Sequence, residues 1–237
     1  MVETYVKIAV VGLVILLVFL VRFASRYRRN QLAAHARAKG YQFLDVVDEG
    51  MHEHYPQFKV FQVRRDRRFG HDFMTFREDG LQFIMLDFNY LNLNPRNRHP
   101  GSASVILVET GWPLGDLAIR PKSVLGWIAQ SFTGEGLVFE SPEFNERFIV
   151  HAPDPGWATG FIHPELMEYL TWSQYRCVIE LHEGTIAVYT GARFEPHEFE
   201  RYLKHLKKVL TLIPEDLRRR AGEPPSPEAP GSLPTGS

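Results

Sequence analysis

"HDFMTFREDGLQFIMLDFNY", His71 to Tyr90, is the stretch on which the fold turns. Two runs rich in aromatic and large apolar residues, His71–Phe76 and Leu81–Tyr90, flank the tetrapeptide Arg77-Glu78-Asp79-Gly80. Side chains of this kind suit the pleated, half-buried surface of a strand. Asp79-Gly80 supplies the positive φ that a tight hairpin turn requires. The stretch therefore predicts two antiparallel strands joined by a short turn, in a chain with no earlier sign of a parallel βαβ unit.

Outward from this hairpin the pattern repeats. "RCVIELHEGTIAVYTG" predicts a second hairpin with its turn at Glu183-Gly184, and its alternation buries Cys177 beside Ile179 and Leu181. "FKVFQV" (Phe58–Val63), "VILVET" (Val105–Thr110) and "LAIRP" (Leu117–Pro121) predict further strands. "GLVFESPEFNERFIVHAPDP" reads as strand, one helical turn opened by Ser141-Pro142, and strand, with Asp154 as a turn former. Helical spacing marks "KSVLGWIAQSF" (Lys122–Phe132), and "HPELMEYLTW" places Pro164 in the first turn of a short helix. "EPHEFERYLKHLKKVLTLI" is amphipathic. Phe199, Tyr202, Leu203, Leu206, Val209, Leu210 and Ile213 share a face, with Glu200, Lys204 and Lys208 opposite, and Pro214 ends it. Strands and helices mixed without βαβ alternation give an α+β class with a mainly antiparallel sheet and a C-terminal amphipathic helix.

The N-terminus is of another kind. Ile8 to Val21 is 14 residues without a charge, roughly 21 Å of helix. Lys7 and Arg22 at its edges can lift their charges to the interface while burying their stems, so residues 4–24 suffice to span a bilayer core of about 30 Å. A cleaved signal peptide is opposed by the Glu3-bearing start and by the only A-x-A pattern, Ala34-His35-Ala36, which lies beyond four arginines. Lys7 on one side against Arg22, Arg26, Arg28 and Arg29 on the other orients the span N-out. The expected organisation is a transmembrane helix over 4–24, a basic helical linker over 25–40 and a soluble domain over 41–214 in the cytoplasm. Residues 221–237, rich in proline and free of apolar periodicity, read as a disordered tail.

Charge narrows the function classes. Residues 1–30 carry net +4, residues 31–220 net −3, and residues 221–237 net −2. A mildly acidic body is a poor polyanion binder, so nucleic acid is not an expected partner. One cysteine, Cys177, allows no internal disulfide. Phosphate-loop, dinucleotide-binding, nucleophile-elbow and zincin motifs are all missing from the sequence, and no cofactor is expected.

Four features remain as candidates. His52 and His54 in "MHEHYP" would point to the same side of an extended segment and could share an ion with Asp48, Glu49 or Asp87, although two surface histidines are the simpler reading. "RRDRR" (Arg64–Arg68) is a charged hairpin tip able to meet anionic headgroups. The polar loop Asn92–His99 is long for a hairpin connection, and loops of that kind carry binding residues. Arg96, Arg98 and His99 in it, together with Arg65, form the expected binding surface. Two P-x-x-P patterns in the tail fit a polyproline ligand or plain solvated chain.

"VFESPEFNERFIVHAPDPGWATGFIHPELMEYL" (Val138–Leu170) and "IAVYTGARFEP" (Ile186–Pro196) resemble uncharacterised bacterial membrane-anchored proteins of domain-of-unknown-function families. The matching positions are Phe144, Phe148, Val150, Asp154, Pro164, Leu166, Met167 and Leu170. The resemblance implies a shared fold and an anchored topology and brings no activity with it. Taken together, the sequence predicts a single-pass membrane protein with a cytoplasmic binding or scaffolding domain and an unidentified protein partner, rather than an enzyme. The alternative is a hydrolase-like site assembled from scattered histidines and carboxylates. It requires a polar cleft with the two within hydrogen-bond reach.

Overall fold

The computed structural model describes residues 2–63, 67–91, 101–124 and 127–219. A single helix, α1 (Val2–Lys39), leads into an eight-stranded sheet. The strands are β1 (Gln42–Asp48), β2 (Arg67–Glu78), β3 (Leu81–Leu91), β4 (Gly101–Glu109), β5 (Leu117–Pro121), β6 (Phe148–His151), β7 (Val178–His182) and β8 (Thr185–Tyr189). Their order is β1-β2-β3-β4-β8-β7-β5-β6, and every neighbouring pair is antiparallel. The α+β class with an antiparallel sheet is what the hairpin patterns predict.

Both predicted turns have the backbone that their sequences demand. Asp79 and Gly80 have φ of 51° and 78°, and Glu183 and Gly184 have 43° and 78°. At Gly184 the approach is also close, since a Cβ there would stand 2.5 Å from the Trp112 carbonyl oxygen. Only glycine tolerates both conditions.

Alternation along the central strands sorts their side chains into two cores. Met74, Phe83, Met85, Ile106, Val108, Ile186 and Val188 face one layer of helices. That layer comprises the second half of α1 with α4 (Pro142–Arg147), α5 (Pro155–Phe161), α6 (Pro164–Trp172) and α7 (Pro196–Leu212), which a short α8 (Glu215–Arg218) follows. Phe73, Leu86, Phe88, Val105, Leu107 and Tyr189 face the other way. They are covered by residues 51–63, including α2 (Met51–His54), and by α3 (Trp127–Ser131). This second layer covers the β2-to-β7 part of the sheet and leaves the outer face of β5 and β6 open.

Several expectations change. Phe58, Val60, Phe61 and Val63 are buried, but the segment forms turns rather than a strand; Phe61 N–H donates to the Phe58 carbonyl and Gln62 N–H to that of Lys59. The segment serves as a lid on the sheet face, where its backbone pairs locally. Of the helix expected over Lys122–Phe132 the described residues form the five of α3, and of the first strand around Gly136–Phe139 only a bridge from Leu137 to Val150 forms. Asp154 starts a helix instead of a turn. Its carboxylate accepts from Trp157 N–H at 3.1 Å, and Pro155 takes the first helical position, where a missing N–H costs nothing. Strand β1 was not marked by any sequence run. It is an edge strand with only intermediate or exposed side chains, so it lacks the buried alternation that identifies the others.

Candidate functional site at the junction of helix and sheet

Helix α1 is long and apolar enough in its first part to cross a membrane, and that part is exposed along its length. Its second part is packed. Leu32 and Ala36 have no exposed surface and belong to the helix-side core, and one and two turns before them the arginines reach the sheet. Arg28, Leu32 and Ala36 recur every four residues, the spacing that keeps side chains on one helix face.

Arg28 lies flat against Asp87 of β3. Its Nε donates to Oδ2 at 2.9 Å and its Nη2 to Oδ1 at 3.1 Å, while Nη2 also donates to the Phe194 carbonyl at 2.7 Å. Asp87 is completely buried and also accepts the Ser104 hydroxyl proton; Ser104 Oγ in turn accepts from Phe194 N–H at 2.8 Å. Arg29 Nε donates to Asp72 Oδ1 at 2.9 Å, and its Nη1 stands 2.9 Å from Asp45 Oδ1. A β-bulge between His71 and Met74 holds Asp72, at φ 53°, in a conformation rare for a side chain other than glycine. The bulge places the His71 and Asp72 side chains so that His71 Nδ1 meets Asp72 Oδ2 at 2.9 Å. Asn89 closes the chain, its Oδ1 accepting from Arg193 at 2.6 Å and its amide nitrogen 2.7 Å from His71 Nε2. With Asn89 Oδ1 occupied, its Nδ2 is the donor, which puts the His71 proton on Nδ1, toward Asp72. Burial pushes the Asp72 carboxyl up, but the hydrogen bond from His71 and the Arg29 guanidinium outweigh it. The group is held below the usual carboxylate range.

His71, Asp72 and Asp87 offer ligand atoms within 4.8 Å of one another, the spacing of a metal site. Their chemistry argues otherwise. Two guanidiniums already neutralise the two carboxylates, and both His71 nitrogens are engaged, so an ion would have to displace Arg28 or Arg29. The arrangement is a compensated charge network that bolts a helix to a sheet.

The network also gives the molecule a direction. Strand β1 runs back along α1, with Gln42 near the helix end and Asp45 level with Arg29. The sheet end where β1 finishes, β2 begins and β3 finishes therefore lies toward the apolar part of α1. Arg67 pairs with Leu91 at that end. The candidate surface residues Arg65, Arg96, Arg98 and His99, and the tail from 221, lie outside the described residues. Of the five anchor-flanking cations, Arg28 and Arg29 are the two that join the network.

The histidine pair is placed differently from expectation. Residues 51–54 form a helical turn, in which positions two apart point about 200° from each other. His54 Nδ1 stands 3.2 Å from Asp48, and His52 Nε2 stands 3.9 Å from Glu53. The two histidines do not converge on one ion. Cys177 is buried, and burial pushes its thiol up to about 12, so it is no nucleophile. His182 Nδ1 lies 2.7 Å from Asp116 Oδ1 in a cleft at the far edge of the sheet. Sequence reading missed the junction network, although it left one signal. Asp87 and Asn89 occupy the alternation positions of Phe83 and Met85, so the strand pattern itself sends a carboxylate inward.

No family model matches the chain, and no curated protein matches it. Among solved structures, a crystal structure of the mycobacterial trehalose monomycolate transport factor A, TtfA, is similar in fold. The TM-score is 0.55 at 10% sequence identity, covering 80% of this chain and 97% of that one. At that identity the likeness is one of fold alone.

Proposed function

We propose that this chain is a single-pass, N-out membrane protein whose cytoplasmic domain is a non-catalytic binding or scaffolding module, an accessory factor of a membrane transport assembly. The observation that carries the reading is the junction. Arg28 and Arg29 tie α1 to β2 and β3 through ion pairs to buried carboxylates, and Leu32 and Ala36 share the domain core. A flexible tether would merely concentrate a domain at the membrane. A bolted helix instead fixes where the domain sits against anything that grips the exposed span, and that geometry suits a part of an assembly. The fold similarity to a protein titled a transport factor supports the same class. The working surface in this reading is carried by Arg65, Arg96, Arg98 and His99.

Topology is tested with Ser237→Cys in a Cys177→Ser background and a membrane-impermeant maleimide. Labelling only after the cells are opened is the expected result; labelling of intact cells would place the domain outside. Partner capture by the full chain is expected to vanish when residues 92–99 are replaced by a short glycine linker, with the melting temperature retained.

A second reading is supported by the His182–Asp116 pair, a histidine and a carboxylate 2.7 Å apart in one cleft though not aligned in a hydrogen bond, a pairing that general-base chemistry draws on. Ester or amide hydrolysis by the purified full chain that is lost in His182→Gln would establish it. No hydrolysis, or hydrolysis retained in that variant, would remove it.

A further inference from the structure

The open face of β5 and β6 carries a second polar cluster, at the edge of the sheet opposite β1. Ala118 pairs with Glu180 on one side and His151 on the other, so the three share a row across β7, β5 and β6. Arg120, two residues along β5, is the diagonal neighbour of His151, roughly 7–8 Å away between Cβ atoms. Phe132 stacks on the His151 ring at 5.6 Å between centroids. This stacked pair and Leu137 form a wall common to two cavities of about 390 Å³ and 280 Å³. The larger presents Gln57, Lys59, Asp116, Thr133, Glu180 and His182; the smaller presents Arg120, Lys122 and Asn145.

Two nitrogens at this wall are buried without a hydrogen-bond partner, His151 Nε2 and Arg120 Nε. Arg120 is not loose, because its Nη1 donates to the carbonyls of Pro121 and Val124 at 3.4 and 3.3 Å and so fixes the guanidinium plane. An Arg Nε–H can only donate. Among the described residues, Lys59, Arg120 and Lys122 have no carboxylate within ion-pair distance, and Lys59 Nζ donates only to Gln62. Burial and then the charges of Arg120 and Lys59 hold His151 below its ordinary range, as expected of an imidazole in an unbalanced positive field. Of the three carboxylates that line the larger cavity, two are engaged elsewhere. Asp116 stands against His182, Glu180 accepts from Tyr189 and from Lys59 N–H, and Glu135 lines the larger cavity.

We propose that this bipartite cleft binds a small hydroxylated phosphate ester. Its phosphoryl oxygens accept from Arg120 Nε and a protonated His151, with Lys122 beside them, and its hydroxyl-bearing part occupies the larger cavity against Asp116, Glu180 and His182. One oxyanion satisfies both unpartnered donors and neutralises the local charge, which neither a neutral ligand nor a cation does. A lipid headgroup and a soluble metabolite both present this chemistry. The cleft lies toward the sheet end where β4 finishes, at Asp116 and His182, and so away from the apolar part of α1. That position favours the soluble source.

The test uses the full chain with labelled histidine side chains in nanodiscs of neutral phosphatidylcholine, at fixed pH. Glycerol 3-phosphate, the probe, is expected to shift the His151 imidazole resonances saturably by about 10 mM, a millimolar affinity being ordinary for a small ligand. Chloride at equal ionic strength is expected to shift nothing. Lys59→Gln, at a half-buried residue and also checked for an unchanged melting temperature, is expected to weaken the probe about three- to tenfold, and Arg120→Gln, checked in the same way, at least tenfold. The His151 titration midpoint should rise in saturating probe. No saturable shift by about 50 mM overturns the site, and so does a shift that chloride reproduces or that both variants leave untouched. If phosphatidylglycerol nanodiscs alone shift His151 and the probe then adds nothing, the source is a lipid headgroup and the soluble assignment is wrong.

Discussion

At the β1 edge of the sheet the buried carboxylates, Asp87 and Asp72, each face a guanidinium; at the β6 edge an arginine nitrogen and an imidazole nitrogen are buried without a hydrogen-bond partner. The two clusters are four to six strands apart, roughly 20–30 Å at about 4.8 Å per strand. They lie on opposite faces of the sheet, one under the helices and the other on the open side. Both remove polar groups from water, at a cost of several kcal/mol per uncompensated ion. Compensation from within the chain makes a joint. Compensation left incomplete makes a place for something else, and that contrast separates structure from function here better than the residue types do.

The largest effect should come from unbalancing the joint. Arg28→Met leaves Asp87, which has no exposed surface, facing its neighbours without its bidentate partner, and is expected to cost about 3–5 kcal/mol. Chemical denaturation of the full chain in nanodiscs measures it. The double variant Arg28→Met, Asp87→Leu should recover most of the loss, because no charge then remains buried; a double variant as unstable as the single would mean that packing, and not charge, holds the joint.

At the other edge the sign of a pH effect is decisive. Burial raises the Glu180 carboxyl from 4.5 to about 7 despite the Tyr189 and Lys59 hydrogen bonds. A group whose folded value is raised binds its proton more tightly in the folded state. Its contribution is therefore complete below about pH 4.5 and declines as pH rises to about 7, a span equivalent to ~3 kcal/mol. Glu180→Gln should flatten the stability profile between those limits, and an unchanged slope would show that Glu180 is charged in the fold.

A rim substitution gives a smaller effect. Asp154→Ala removes the cap of α5 beside Pro153, a cleft-lining residue, and should cost ~1 kcal/mol in thermal unfolding. It should leave glycerol 3-phosphate binding intact, since Asp154 faces the helix backbone. The smallest effect isolates burial itself. Arg67 pairs with Glu49 at 3.0 Å with both side chains more than half exposed, so Arg67→Ala should change stability by about 0.2–1 kcal/mol at most. A loss as large as that of Arg28→Met would erase the distinction between the exposed and the buried pair.

Much of the fold was legible because its signals are local. Asp79-Gly80 and Glu183-Gly184 turn where their φ angles permit, and Pro142 and Pro164 open helices at the position where proline loses nothing. Where the sequence misled, a tertiary contact had outvoted a propensity. Phe58–Val63 has the composition of a strand and lies as a turn-rich lid, because the sheet face beneath it needed aromatic cover from Phe58 and Phe61. The candidate site was less legible still. Arg28 and Arg29 look like two more flanking cations until Asp87 and Asp72 are brought against them from 59 and 43 residues away.

By itself, then, the sequence determined the apolar N-terminal helix, the antiparallel α+β class, the two hairpin turns and the amphipathic α7. Each rests on residues within one turn or one strand of each other, where propensity and periodicity act. The tertiary structure alone decided that the long helix is bolted to the sheet, that His52 and His54 diverge, and that Arg120 and His151 meet at an open edge. Those outcomes depend on strand order and register, which pair residues far apart in the chain and leave no mark in the composition of either partner.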